Sequence, residues 1–304
     1  MAVKTVKAII NGQTYTLAYN SQNGKWEATV TAPAKSSYPL DGHYYPVTVK
    51  ATDSAGNTTT IDDKHQSLGT KLQLKVKEKT APVITITYPT SSAVITNNKP
   101  LIKWKITDND SGADPNTIGI TIDSNEKVTG DSIVKNPVSG GYECQYTPSK
   151  ALSDGSHTIK IDASDFDGNV ASPKTISFKV DTVPPTLNVS SPADGFITNK
   201  LSVAISGTTN DATSSPVTLT YKLNNGAAKP VDVKPDGSFS TDITLINGDN
   251  TITITATDSA GKTTTITRRV SVDTIAPSIT AVTITPNPVD SGRTFVISVT
   301  VTDE

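Results

Sequence analysis

Apolar and polar residues alternate along most of this chain, in short runs separated by polar clusters. Successive side chains on a strand face opposite surfaces of the sheet, so alternation marks strands with one buried face. Between 186 and 272 it predicts seven strands, at 186–190, 201–207, 217–224, 228–233, 238–245, 250–257 and 263–272. The turn sequences "NNG" at 224–226, "PDG" at 235–237 and "NGD" at 247–249 divide them, because Asn, Asp and Gly tolerate the backbone angles that reverse a chain. Residues 80–181 follow the same plan, with polar insertions around 107–117 and 123–132. Residues 1–79 open with three strands joined by hairpins at Asn11-Gly12 and Asn23-Gly24.

Two repeated phrases organise these strands into modules. "ATDSAGN" at Ala51–Asn57 recurs as "ASDFDGN" at Ala163–Asn169 and "ATDSAGK" at Ala256–Lys262, each time between two alternating runs. A second marker, "EKTAP", "DTVPP" and "DTIAP", precedes an alternating strand at residues 78, 181 and 273. Tandem copies at this spacing, with about seven short strands each, predict an all-β fold of tandem immunoglobulin-like β-sandwich domains in an extended array. The expected divisions are a reduced N-terminal sandwich at 1–79 and full domains at 80–181 and 182–274. Residues 275–304 are read as an incomplete terminal unit, or a strand pair packing on a neighbour. Pro82, Pro184, Pro185 and Pro277 restrict φ at the joints, a spacer geometry.

Composition supports the all-β reading. Roughly one residue in six is Thr, while Leu and Met are scarce, so strand formers and turn formers both outweigh helix formers. The net charge is -2 and only 18% of residues are charged, with no basic patch of the kind nucleic acids require. No apolar run reaches membrane-spanning length. The single cysteine, Cys144, alternates with Tyr142 and Tyr146 on one strand and reads as a small buried apolar residue. The start "MAVKTVKAIINGQTYTL" breaks into a turn with no secretion-signal pattern.

Candidate chemistry is sparse. In the repeated motif, Asp53, Asp165 and Asp258 can accept hydrogen bonds from loop amides. Gly56, Gly168 and Gly261 can take positive φ, and Asn57 and Asn169 tolerate turn geometry. The motif therefore reads as the hairpin loop between a domain's last two strands. Calcium is the competing reading for the middle copy, where Asp162, Asp165, Asp167 and Asn169 cluster and Asp108, Asp110 and Asp114 lie in a nearby acidic loop. The other copies replace the second acid with Ala55 and Ala260. His43, His65 and His157 fall in no nucleophile or zinc-ligand spacing, so no catalytic residues are assigned and no other cofactor is expected. Trp104, alternating with Ile102 and Ile106, reads as core. Tyr38, Tyr44 and Tyr45 are the candidate contact surface, since tyrosines suit protein and sugar recognition. One of Tyr44 and Tyr45 is expected in the core, because strand neighbours face opposite ways.

The Asp-x-x-Gly-Asn/Lys turns and "DTxxP" junctions resemble tandem bacterial immunoglobulin-like domains of surface and adhesion proteins. "NGQTYTLAYNSQNGKWEATVTAP" and "GHYYPVTVKATDSAGNTTT" resemble the opening of such proteins encoded among prophage tail genes of Gram-positive bacteria. That likeness implies a non-enzymatic spacer or decoration protein of a phage tail, assembled in the cytoplasm and extracellular after release. Its implied partners are tail or other structural proteins, and host-surface polysaccharide or protein. A cell-surface adhesin or carbohydrate-binding array is the alternative, and neither implies nucleic-acid binding or membrane insertion.

Overall fold

A computed structural model describes residues 2–125 and 127–303. Glu126, in the second polar insertion, lies outside the described residues, as do Met1 and Glu304. The chain divides into two compact units, Met1–Val180 and Asp181–Glu304, each treated below by itself. Among the described residues no helix is long and apolar enough to cross a membrane.

The first unit begins with one six-stranded sheet rather than two layers. Its order is Lys25–Glu27, Gln13–Asn20, Val3–Ile10, Tyr45–Asp53 and Thr58–Ile61, with Gln73–Leu74 pairing beside Tyr45. The hairpin between the first two strands turns on Asn11 and Gly12, with φ of 49° and 74°, which fits the strong hairpin preference of Asn-Gly. The sheet has a thin core, in which only Val6 and Tyr45 are buried apolar residues. The reduction expected from the short length is therefore a lost layer.

The rest of the first unit is a two-layer sandwich. One sheet runs Val134–Val138, Gly141–Tyr146, Ile102–Thr107, Val83–Tyr88. The other runs Val128–Thr129, Gly119–Ile122, Gly155–Asp162, Lys174–Val180, Val94–Ile95, the last pairing parallel. Alternation puts Ile102, Trp104 and Ile106 inward and Lys103 and Lys105 outward on one strand. From the facing sheet, Ile159, Ile161 and Phe178 fill the same core. Cys144 lies opposite Trp104 in the ladder, and burial pushes its thiol up to about 11, so it is inert packing.

The second unit repeats this plan. Thr186–Ser191, Ser202–Asn210 and Ser238–Thr244 form one layer. The other runs Phe196–Thr198, Thr263–Val272, Gly248–Thr257, Thr218–Leu223, Lys229–Val231. Ile205, Phe239, Ile252, Ile254 and Val270 anchor its core. The strand Phe196–Thr198, parallel to Thr263–Val272, is too short for its alternation to register. Ser278–Thr285 and Val296–Thr302 then form a separate hairpin whose residues are exposed throughout. It repeats the pairing of the first two long strands of each sandwich, including a register shift.

Two predictions follow from the middle core. Trp104 is 1% exposed and its indole Nε1 has no hydrogen-bond partner. Trp104→Ala is expected to cost about 3–5 kcal/mol in chemical denaturation. Trp104→Phe should cost far less, because it also removes the unpaired donor; equal losses would contradict this packing. His157 is buried, with Nδ1 2.6 Å from Asp123 Oδ2 and Nε2 2.7 Å from the Ser153 carbonyl. Burial opposes its charge, but those two acceptors outweigh it and raise its pKa above the ordinary histidine value. The imidazolium's stabilisation is thus full below the unfolded pKa, about 6.5, and is lost as pH rises through the folded one. An NMR titration should place the His157 ring above free histidine, and Asp123→Asn should lower it; a depressed native pKa would refute the assignment.

Candidate functional site

The three motif loops share one geometry. In the first, Asp53 Oδ1 accepts the amides of Ala55 and Asn57, both at 2.9 Å, and Oδ2 accepts Asn57 Nδ2 at 2.9 Å. The Asp53 and Gly56 amides donate to the Asn57 and Asp53 carbonyls. Asp165 accepts the Asn169 amide and Nδ2, each at 2.7 Å, and Asp258 Oδ1 accepts the amides of Ala260 and Lys262 at 2.8 and 2.9 Å. Gly56, Gly168 and Gly261 have φ of 93°, 91° and 85°, a region side chains rarely adopt. Each loop joins two adjacent antiparallel strands. The aspartates and glycines build turns.

The middle copy departs from the pattern at Phe166 and Asp167, and both residues contact segments of the N-terminal piece that lie outside its strands. The Phe166 ring stacks on Tyr38 with centroids 4.2 Å apart and planes 9° from parallel, while His43 stacks on the other side of Tyr38 at 4.3 Å. Asp167 Oδ2 accepts the Glu78 amide at 3.0 Å and its carbonyl accepts Lys77 Nζ at 3.0 Å. Asp110 Oδ1 accepts the Ser36 amide at 2.9 Å, and Asn169 Nδ2 reaches the Glu78 carbonyl at 3.2 Å. The latch is set by buried Ser37, whose hydroxyl accepts the Val76 amide and lies 3.0 Å from the His43 carbonyl. These contacts explain why the first unit includes both the sheet and the sandwich.

Of the candidate tyrosines, Tyr45 takes the core position expected for one of the Tyr44/Tyr45 pair, and the other two have partners within the chain. Tyr38 lies in the three-ring stack, the Tyr44 hydroxyl donates to Asp63 at 2.7 Å, and Tyr45 is buried with its hydroxyl on the Lys35 carbonyl at 3.2 Å. The expected calcium set is also dispersed. Asp162 pairs with Lys160 and Lys127 at 3.3 and 3.7 Å, Asp167 is engaged by the Glu78 amide, and Asn169 serves as a donor. Asp114 caps its own loop through the Asn116 amide at 2.9 Å.

Among the described residues acids do converge, in two other sets: Glu78, Asp108 and Asp165, and Asp181, Asp211 and Asp258. In each set every residue offers an oxygen within 4.8 Å of the others. The positions correspond. One acid stands four residues before Pro82 or Pro185, one just after the Ile102–Thr107 or Ser202–Asn210 strand, and one is the turn aspartate. In the first set Asn169 Nδ2 occupies Asp165 Oδ2, Ser111 Oγ donates to Glu78 Oε1 at 3.2 Å, and the amides of Asp110 and Gly112 donate to Asp108 Oδ1. Burial, ahead of the neighbouring Asp165 and Asp108, raises the Glu78 pKa. Glu78, Asp181 and Asp211 escape a search for acids close along the chain, but aligning the repeats brings them out.

Comparison with known proteins agrees with the module pattern. Residues 3–67 and 89–182 match models described as a bacterial Ig-like domain, and residues 185–274 match one described as glucodextranase, domain B. Bacillopeptidase F of Bacillus subtilis (strain 168) is 33% identical over 114 residues, 38% of this chain, and the match spans only 7% of that protein. An I-band fragment of titin superposes with a TM-score of 0.44 at 13% identity, covering 89% of this chain and 88% of its own. A tetra-tandem repeat from the extending region of a large adhesion protein gives 0.34 at 18% identity, covering 98% and 79%.

The stack makes a specific prediction. A double-mutant cycle with Tyr38→Ala and Phe166→Ala, read by equilibrium unfolding, should give a coupling of about 0.5–1.5 kcal/mol. Additive losses would mean that the rings do not hold the N-terminal sheet.

Proposed function

We propose that this tandem array of bacterial Ig-like domains is a non-enzymatic spacer, which holds successive modules in fixed order within a larger surface or particle assembly. The latch between the N-terminal sheet and the middle sandwich carries this reading. A stacked aromatic pair and several side chain–backbone hydrogen bonds join the two pieces, as a load-transmitting joint requires and a loose linker would not. The residues with the most distinctive chemistry are spent on turns and on this joint. Ig-like architecture is typically non-catalytic, and the match to an accessory domain of a glucodextranase does not itself bring a catalytic centre.

The setting we propose is a phage tail, in keeping with the resemblance of the N-terminal sequence to tail-encoded Ig-like proteins, with tail proteins as its structural partners. The bacterial Ig-like matches equally support a second reading, a surface adhesin array that contacts host polysaccharide or protein. Mass spectrometry of purified particles from induced cells, beside the cell-wall fraction of uninduced cells, separates the two. Stoichiometric recovery in intact particles is expected for the tail. Absence there with recovery in the wall fraction would overturn that setting in favour of the adhesin, and recovery only in the soluble cytosolic fraction would overturn both.

A further inference from the structure

We propose that Asp181, Asp211 and Asp258 bind a divalent cation, with calcium as the preferred ion. The three residues are 0%, 8% and 5% exposed, and their converging oxygens lie within 4.8 Å of one another. Carboxylates buried this close together repel one another, and a cation placed among them relieves that repulsion.

Local donors satisfy part of the set. Asp181 Oδ1 accepts the Val183 amide at 3.1 Å, and its Oδ2 accepts the Ser214 hydroxyl. Asp211 Oδ1 accepts the amides of Thr213 and Ser214 at 2.8 and 2.6 Å. Of the fully buried oxygens in this set, Asp258 Oδ2 is the one with no hydrogen-bond partner.

The repeat explains why it is left over. In the other two copies the residue four positions after the aspartate is Asn57 or Asn169, whose Nδ2 caps the equivalent Oδ2. In this copy the position holds Lys262, whose amide binds Oδ1 and whose side chain does not replace the missing amide. A buried, uncapped carboxylate oxygen costs several hydrogen bonds' worth of solvation, and it faces two further carboxylates. A cation supplies what the asparagine supplies elsewhere. The donor set contains oxygen only, with no sulfur or imidazole, which selects a hard ion over zinc or copper. Calcium accepts irregular arrays of carboxylates, carbonyls and water, whereas magnesium demands near-octahedral order. The Glu78 set carries no such orphan and is held by its own donors.

The test uses the full chain stripped with EDTA. Calcium chloride should raise its melting temperature by several degrees, terbium should bind in competition with calcium, and magnesium should act more weakly. Asp211→Asn and Asp258→Asn should abolish the calcium shift while Asp108→Asn leaves it. Because each of these substitutions also alters a carboxylate that accepts loop amides, Lys262→Asn is the second arm. By restoring the amide cap it should raise the stability of the calcium-free chain and weaken calcium binding about tenfold or more, a loss of some 1.4 kcal/mol. The proposal is overturned if calcium neither shifts melting nor displaces terbium, if Lys262→Asn leaves the affinity unchanged, or if the shift is lost with Asp108→Asn instead.

Discussion

A carboxylate that ties two main-chain amides together, with a left-handed glycine beside it, is the constraint on which each module depends. Asp53, Asp165 and Asp258 each close the loop between two adjacent strands by accepting the amide four residues on. The positive φ of Gly56, Gly168 and Gly261 lets the chain turn back in the space available. With that turn fixed, the strand registers on either side follow, and with them the inward placement of Ile159 and Ile161 or Ile252 and Ile254.

The same loop does further work that depends on its variable positions. In the first copy, Asn57 satisfies the carboxylate and the turn stays exposed. In the middle copy, Phe166 and Asp167 reach across to the N-terminal piece. In the third, Lys262 replaces the capping asparagine and leaves an acceptor buried. The N-terminal sheet has only Val6 and Tyr45 as buried apolar residues, too little to stabilise a two-sided domain by burial alone. Its attachment through Tyr38, Ser36 and Glu78 therefore contributes to its folding as well as to its position.

Much of this fold was legible in the sequence because alternation and turn chemistry are local signals. The strands of the second unit lie within a few residues of their expected bounds, and Trp104 and Cys144 are core residues as their alternation implied. The site was less legible. Clustering along the chain pointed to Asp162, Asp165, Asp167 and Asn169, yet consecutive strand residues face opposite ways, and Asp162 turns to lysines. The acids that do meet come from a junction, a strand end and a loop, a convergence that only the folded topology creates. Tyr38 looked like an exposed contact because its stacking partner, Phe166, is remote in sequence.

The central claim is that the loop's aspartate and glycine serve the sandwich while Phe166 and Asp167 serve the joint. Replacing those two residues by the Ser and Ala of the other copies, Phe166→Ser with Asp167→Ala, tests it in the full chain by amide hydrogen exchange. Protection at Ile159 and Ile161 should be unchanged, while amides of the Val3–Ile10 and Tyr45–Asp53 strands exchange markedly faster. Loss of protection in the middle sandwich, or an N-terminal sheet that exchanges as before, would contradict the account.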